Sequence, residues 1–228
     1  MATRKAAPAA TTQASTGTAS TSTTAITIKP PNIQYAAFRL EGTSPFVQLR
    51  FSEKAMNAMA AKMKEGSTAR SKKIREARDF DQDLKDALHV STEGWIGIPA
   101  GAFRNAMISA CKLVGFAMTK AKLSIFVDAD GFDCVDGVPL VKLDAGKPES
   151  TRMAVRNQTG VADLRVRPMW REWGVDLRVS FDGDQFTVAD VTNLLARAGM
   201  QVGVGEGRHD SRTSAGLGWG CFRVSETR

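Results

Sequence analysis

The clearest alternation in the chain is at Val175, Leu177, Val179 and Phe181, which are separated by Asp176, Arg178 and Ser180. A period of two over that length predicts a strand with one buried face, and Asp182, Gly183 and Asp184 would end it. Residues 35–40 and 46–51 read the same way, the second with Val47, Leu49 and Phe51 alternating with Gln48 and Arg50, and residues 42–45 forming the turn between them. Elsewhere the period lengthens to that of a helix. Met56, Met59, Ala60 and Met63 predict a helix capped by Ser52 and ending before Gly66, its methionine stripe facing a core. Phe103, Met107, Ala110, Cys111 and Val114 predict a second helix, opened by Pro99 and stopped by Gly115. Val188, Val191, Leu194, Leu195 and Ala198 predict a third, with Thr187 and Asp190 as a capping box and Gly199 as its end. Short strands are expected over 95–98, 123–127 and 164–167, a long loop over 144–160, and a short strand between the last helix and the glycines that follow it.

This order predicts an α+β protein, a ferredoxin-like or RRM-like sheet with helices mainly on one face and inserted loops. Two segments depart from the pattern. Residues 1–30 are almost entirely Ala, Thr, Ser and Pro, with Arg4 and Lys5 as early charges and no acidic residue before Glu41. Such a segment buries too little apolar area to offset its ordering entropy and predicts a disordered tail, leaving 31–228 as one domain. Residues 67–86 place Arg70, Lys72, Lys73, Arg75 and Arg78 ahead of Asp79, Asp81, Asp83 and Asp86, a charged insertion that is either a solvated, self-compensating segment or a basic finger for a phosphate backbone.

Residues 202–224 contain six glycines in two alternating triplets, Gly203, Gly205, Gly207 and Gly216, Gly218, Gly220, around a spacer with Arg208, His209, Asp210 and Arg212. Glycine at this density predicts backbone conformations or approaches that a side chain would block. The Walker ending is absent, and Arg208 stands where a dinucleotide fingerprint needs its third glycine, so no cofactor is expected. Residues 165–173 interleave Arg165, Arg167 and Arg171 with Trp170 and Trp173, residue types that pair with phosphate and stack on bases when they are not core. Arg104 lies near the start of the second helix, whose free N–H groups suit a phosphate.

The net charge of +7 raises the prior for a polyanionic partner without saying anything about the fold. Three separated cysteines, Cys111, Cys134 and Cys221, with two histidines indicate neither a disulfide framework nor a zinc site, and suit a reducing cytoplasm. Asp128, Asp130, Asp133 and Asp136 lack the ligand order of an EF-hand, so no metal is expected there. No apolar run approaches the roughly 18 residues that span a bilayer, and no membrane partner is expected.

The C-terminal run, with a helix ending at Ala198 and Gly199, then Gly203 to Arg208, the polar spacer and Gly216 to Phe222, resembles the glycine-rich loop of the RAMP superfamily, RNA-binding proteins of CRISPR effector complexes. The stretch 98–107, IPAGAFRNAM, is similar to the proline-glycine turn and helix start of the same group. Together these motifs cover about a fifth of the chain. The resemblance implies a modified RRM core that grips single-stranded RNA by its backbone, self-association along the nucleic acid, and a thumb-like insertion, with 67–86 or the 128–160 region as its counterpart here. The chain departs from fuller members in being short and in its Ala/Thr/Ser leader, which leaves a stand-alone phage or mobile-element relative equally open.

The residues expected to bind nucleic acid are Arg70, Lys72, Lys73, Arg75, Arg104, Arg165, Arg167, Trp170, Arg171, Gly203, Gly205, Gly207, Arg208, Arg212, Gly216 and Gly218. The ligand is single-stranded RNA, with DNA left open. Two other readings stand beside this one: a phage structural or assembly protein, and an endoribonuclease using His209, the candidate catalytic histidine. His89 has no partner readable from spacing, and no constellation supports another enzyme class.

Overall fold

The strand predicted from the cleanest alternation forms the middle of a four-stranded antiparallel sheet. In the computed structural model, which describes residues 28–50, 57, 60, 79–156, 162–210 and 216–227, the chain divides after Pro31. Every element below belongs to Asn32–Arg228. The strands are β1 (Ile33–Gly42), β2 (Phe46–Val47), β3 (Gly97–Pro99), β4 (Ile125–Val127), β5 (Gly131–Phe132), β6 (Pro139–Lys142), β7 (Glu149–Arg156), β8 (Ala162–Trp170), β9 (Gly174–Asp182) and β10 (Phe222–Thr227). The helices are α1 (Phe80–Asp86), α2 (Ala100–Cys111), α3 (Met118–Ser124) and α4 (Val188–Arg197).

The main sheet has the order β10-β1-β9-β4. Its register places Ala36 opposite Val179, Phe38 opposite Leu177 and Leu40 opposite Val175, so the apolar sets of β1 and β9 share one face. Phe103, Met107 and Cys111 of α2 and Val191, Leu194 and Leu195 of α4 join those residues in a single core. Both helices pack on that face because their apolar stripes have nowhere else to be buried. The side chains of Thr187 and Asp190 form the expected capping box of α4. Pro99 precedes the first turn of α2, and Gly115, in the left-handed region at φ 72°, closes the short 3-10 turn that follows.

Two smaller sheets flank this core, β2-β8-β7 and β3-β6-β5. The first contains a long hairpin whose register runs from Glu149 opposite Met169 to Arg156 opposite Ala162, while β2 joins its base through Phe46 opposite Trp170.

Several expectations change. Residues 144–160, read as a loop, contain β7, which is held by pairing with β8 rather than by a buried face of its own. The strand expected over 46–51 stops at Val47 because Gln48 turns into the interior as a hydrogen-bonding hub; Phe51 lies outside the described residues. Leu123 belongs to α3 and is exposed, so the strand expected over 123–127 begins at Ile125. In place of a short strand after α4, Ala198–Val202 forms a π-turn. Gly199 makes room for it, since a Cβ there would collide with the Phe222 carbonyl. Within the charged insertion, Asp79 caps α1 through the N–H groups of Asp81 and Gln82. Residues 67–78, the tail 1–27 and most of the methionine-stripe helix lie outside the described residues, although residues 57 and 60 are helical.

Candidate nucleic-acid interface

All six loop glycines have positive φ, from 64° to 81°. This is backbone that other residues enter at a cost. Their neighbours show what the conformation achieves. A Cβ on Gly205 would stand 2.5 Å from the Val47 carbonyl oxygen, and one on Gly207 would stand 2.6 Å from the Trp219 ring. Gly220 backs directly onto Val204, where two hydrogen bonds fold the loop: Val204 N–H donates to the Gly220 carbonyl at 3.0 Å, and Gly220 N–H donates to Pro45 at 2.8 Å. Glu206 N–H donates to the Val47 carbonyl at 2.9 Å, stitching the loop to β2.

Glu206 also connects the loop to the hairpin. Its carboxylate accepts from Arg167 Nε at 2.8 Å and pairs with Arg165 Nη1 at 3.9 Å. These two arginines project from the same face of β8 because they lie two residues apart. Arg208 turns back to donate to the Gly205 carbonyl at 2.9 Å. The structure therefore brings together Arg165, Arg167, Arg208, Gly203, Gly205 and Gly207. Gly218 lies beneath His209, whose ring would be 3.2 Å from a Cβ at that position. Gly216 is an exposed part of the same loop.

Other expected site residues lie elsewhere. Arg104 ties α2 to the α3–β4 junction, donating to the carbonyls of Ile125 and Lys122 and standing 5.4 Å over the Phe126 ring. Arg171 is exposed and pairs with Glu149 at 3.0 Å. Trp170, expected as a stacking platform, is corrected to core: it is 2% exposed, stacks on Phe46 at 5.6 Å between centroids, and donates its indole N–H to the Gly146 carbonyl. Burial of both ring faces leaves no surface for a base. Arg70, Lys72, Lys73, Arg75 and Arg212 lie outside the described residues.

The sequence reading missed a buried polar cluster at the other end of β2. Gln48 donates to the Gly97 carbonyl at 2.7 Å and accepts the His89 N–H at 3.1 Å. His89 Nδ1 lies 2.8 Å from Asp133 Oδ2, and Arg50 Nε stands 3.7 Å from Asp133 and 3.6 Å from Asp136. Burial alone would raise the Asp133 carboxyl. The N–H of Val135, the His89 bond, the Arg50 charge and the N–H of Asp136 outweigh that and hold it below the ordinary carboxylate range. No spacing rule could have joined His89 to Asp133, because 44 residues and the β3–α2–β4 excursion separate them. The nearest signal was the polar Gln48 and Arg50 in an otherwise apolar strand pattern.

No family model matches the chain, and no curated protein matches it. No helix among the described residues is long and apolar enough to cross a membrane.

Proposed function

We propose that this chain is a non-catalytic binder of single-stranded nucleic acid, with RNA as its ligand, built in the manner of the RAMP proteins it resembles. The observation that carries the reading is the meeting of two basic elements, the β8 arginines and the glycine loop, with Arg165 and Arg167 sharing the single carboxylate of Glu206. Two guanidiniums on one carboxylate leave net positive charge and spare donors on a partly exposed junction, a setting suited to phosphate oxygens.

The topology supports the same reading. Along the chain, β1, α2, β4, β9, α4 and β10 follow a βαββαβ order in an antiparallel sheet of order β10-β1-β9-β4, which supports a ferredoxin-like reading of the core. On this reading the β7–β8 hairpin is an insertion between the second and third core strands, and the glycine loop lies between the second core helix and the last strand. Residues 67–78 add a further run of basic side chains from the sequence.

The test is binding of a fluorescently labelled single-stranded RNA, followed by anisotropy from low to moderate salt. The logarithm of affinity should fall linearly with the logarithm of salt concentration, with a slope of about 0.7 per neutralised phosphate. A flat response, or no binding at low salt, overturns the proposal. Competition with DNA of the same sequence separates RNA preference from backbone binding, since only RNA offers the 2′-hydroxyl.

A further inference from the structure

Two neighbouring carboxylates and an imidazole converge where Gln48, β3 and the β5–β6 turn meet. One ring nitrogen of His89 and one oxygen from each of Asp133 and Asp136 all lie within 4.8 Å of one another. Each carboxylate has one oxygen engaged by backbone. Asp133 Oδ1 accepts from Val135 N–H at 2.9 Å and Asp136 N–H at 3.4 Å, and Asp136 Oδ1 accepts from Val138 N–H at 3.1 Å. The remaining oxygens, both Oδ2, face inward toward His89 and Arg50. Side-chain exposure is 10% for His89, 1% for Asp133 and 28% for Asp136, so Asp136 marks the solvent side.

A second, independent observation concerns Arg50. Its side chain is 8% exposed and directed at both carboxylates, yet Nε and Nη2 are buried and have no hydrogen-bond partner among the described residues. Buried donors are nearly always satisfied. The gaps of 3.7 and 3.6 Å to the carboxylates are too long for hydrogen bonds. They are ion-pair contacts that leave the Nε donor without an acceptor.

We propose that His89, Asp133 and Asp136 bind a divalent first-row transition-metal ion, and that Arg50 hydrogen-bonds an oxygen ligand in its coordination shell. One donor set and two unsatisfied guanidinium donors are then explained together. The two carboxylates balance the ion, and the metal-bound oxygen supplies the acceptor that Arg50 lacks. An imidazole with two carboxylates favours zinc, manganese or iron over calcium or magnesium, whose sites are built from oxygen alone. The binding position pins the segment after β2, which touches the glycine loop through Val47, to the β5–β6 turn. The inference is independent of any nucleic-acid role.

The full chain, stripped with a chelator and returned to metal-free buffer, is titrated calorimetrically with zinc, manganese and cobalt(II), and cobalt is also followed by its visible absorption. One equivalent should bind, accompanied by a rise in melting temperature. Asp136→Asn, at the solvent side, should keep its circular dichroism and weaken binding at least tenfold, and His89→Gln should do the same while altering the cobalt spectrum. Absence of saturable binding by all three ions overturns the proposal, as does binding undiminished in Asp136→Asn, which would put the ion elsewhere. If His89→Gln does not fold, the Asp136→Asn comparison decides alone.

Discussion

The solvent-facing side of the main sheet and the hairpin–loop junction each carry three arginines, but they are partnered differently. On the sheet, Arg39 bonds Asp144 and Asp176, Arg178 bonds Asp130 at 2.9 Å, and Arg223 bonds Glu41 at 2.8 Å. At the junction, Arg165 and Arg167 share Glu206 while Arg208 donates to a backbone carbonyl. The first set is neutralised in place, raising the pKa of Arg39 chiefly through its bond to Asp144 and lowering that of Glu41 chiefly through its bond to Arg223. A net charge of +7 therefore says little about where an anion would bind. Where the carboxylates run out is more informative than where the arginines are.

The contrast can be broken most severely by destroying the junction's backbone. Gly220→Ala puts a methyl group onto the Val204 carbonyl at φ 70°, and should cost about 4 kcal/mol or more in urea unfolding, whereas Gly94→Ala, with open space around it at φ 87°, should cost only about 1–2 kcal/mol. Next is a third arginine setting, that of Arg50, whose side chain is largely buried. Asp133→Asn removes the more buried of the two charges facing Arg50 and should destabilise the fold by about 3 kcal/mol. Because the folded carboxyl is held below its ordinary value, its contribution is present above the unfolded pKa of about 3.9 and is lost as pH falls through the lower folded value. The variant's acid-unfolding curve should accordingly be flatter in that range than the parent's.

Arg165→Ala with Arg167→Ala should then weaken RNA binding by about a hundredfold, or ~2.7 kcal/mol, with a shallower salt slope. Arg178→Ala with Arg223→Ala on the sheet should leave both quantities unchanged within about twofold. Equal losses from the two pairs would erase the distinction. Glu206→Gln frees both junction arginines and should tighten RNA binding about fivefold, or ~1 kcal/mol, measured in the same anisotropy assay. The smallest effect is expected from Asp144→Asn, an exposed partner of Arg39, at under about 0.5 kcal/mol in thermal unfolding and no change in binding.

Elements with a strong local signal were readable from the chain. β9 alternates cleanly, α4 announces itself with Thr187 and Asp190, and the glycine triplets do occupy positive φ. What could not be read depends on distant partners. Residues of β7 such as Ser150, Arg152 and Ala154 show no strong apolar face, because the strand is held by its ladder with β8. Trp170 and Arg171 are adjacent and equally suggestive in sequence, yet one is core and the other exposed, a difference decided by Phe46 more than 120 residues away. The loop's glycines revealed their backbone requirement without revealing that Val47, Trp219 and Val204 impose it. Glu206, which joins the two basic elements, looked like one acid among glycines.

The sheet order also sets a timetable for synthesis. Among the described residues β1 pairs only with β9 and β10, and the first of these begins about 130 residues after β1 ends. At roughly 5–20 residues per second, the apolar residues Phe38 and Leu40 emerge from a ribosome on the order of 10 s before any strand exists to cover their edge. Such a chain cannot fold progressively from its first strand. A truncation before Gly174 would leave β1 as an unpaired, aggregation-prone edge.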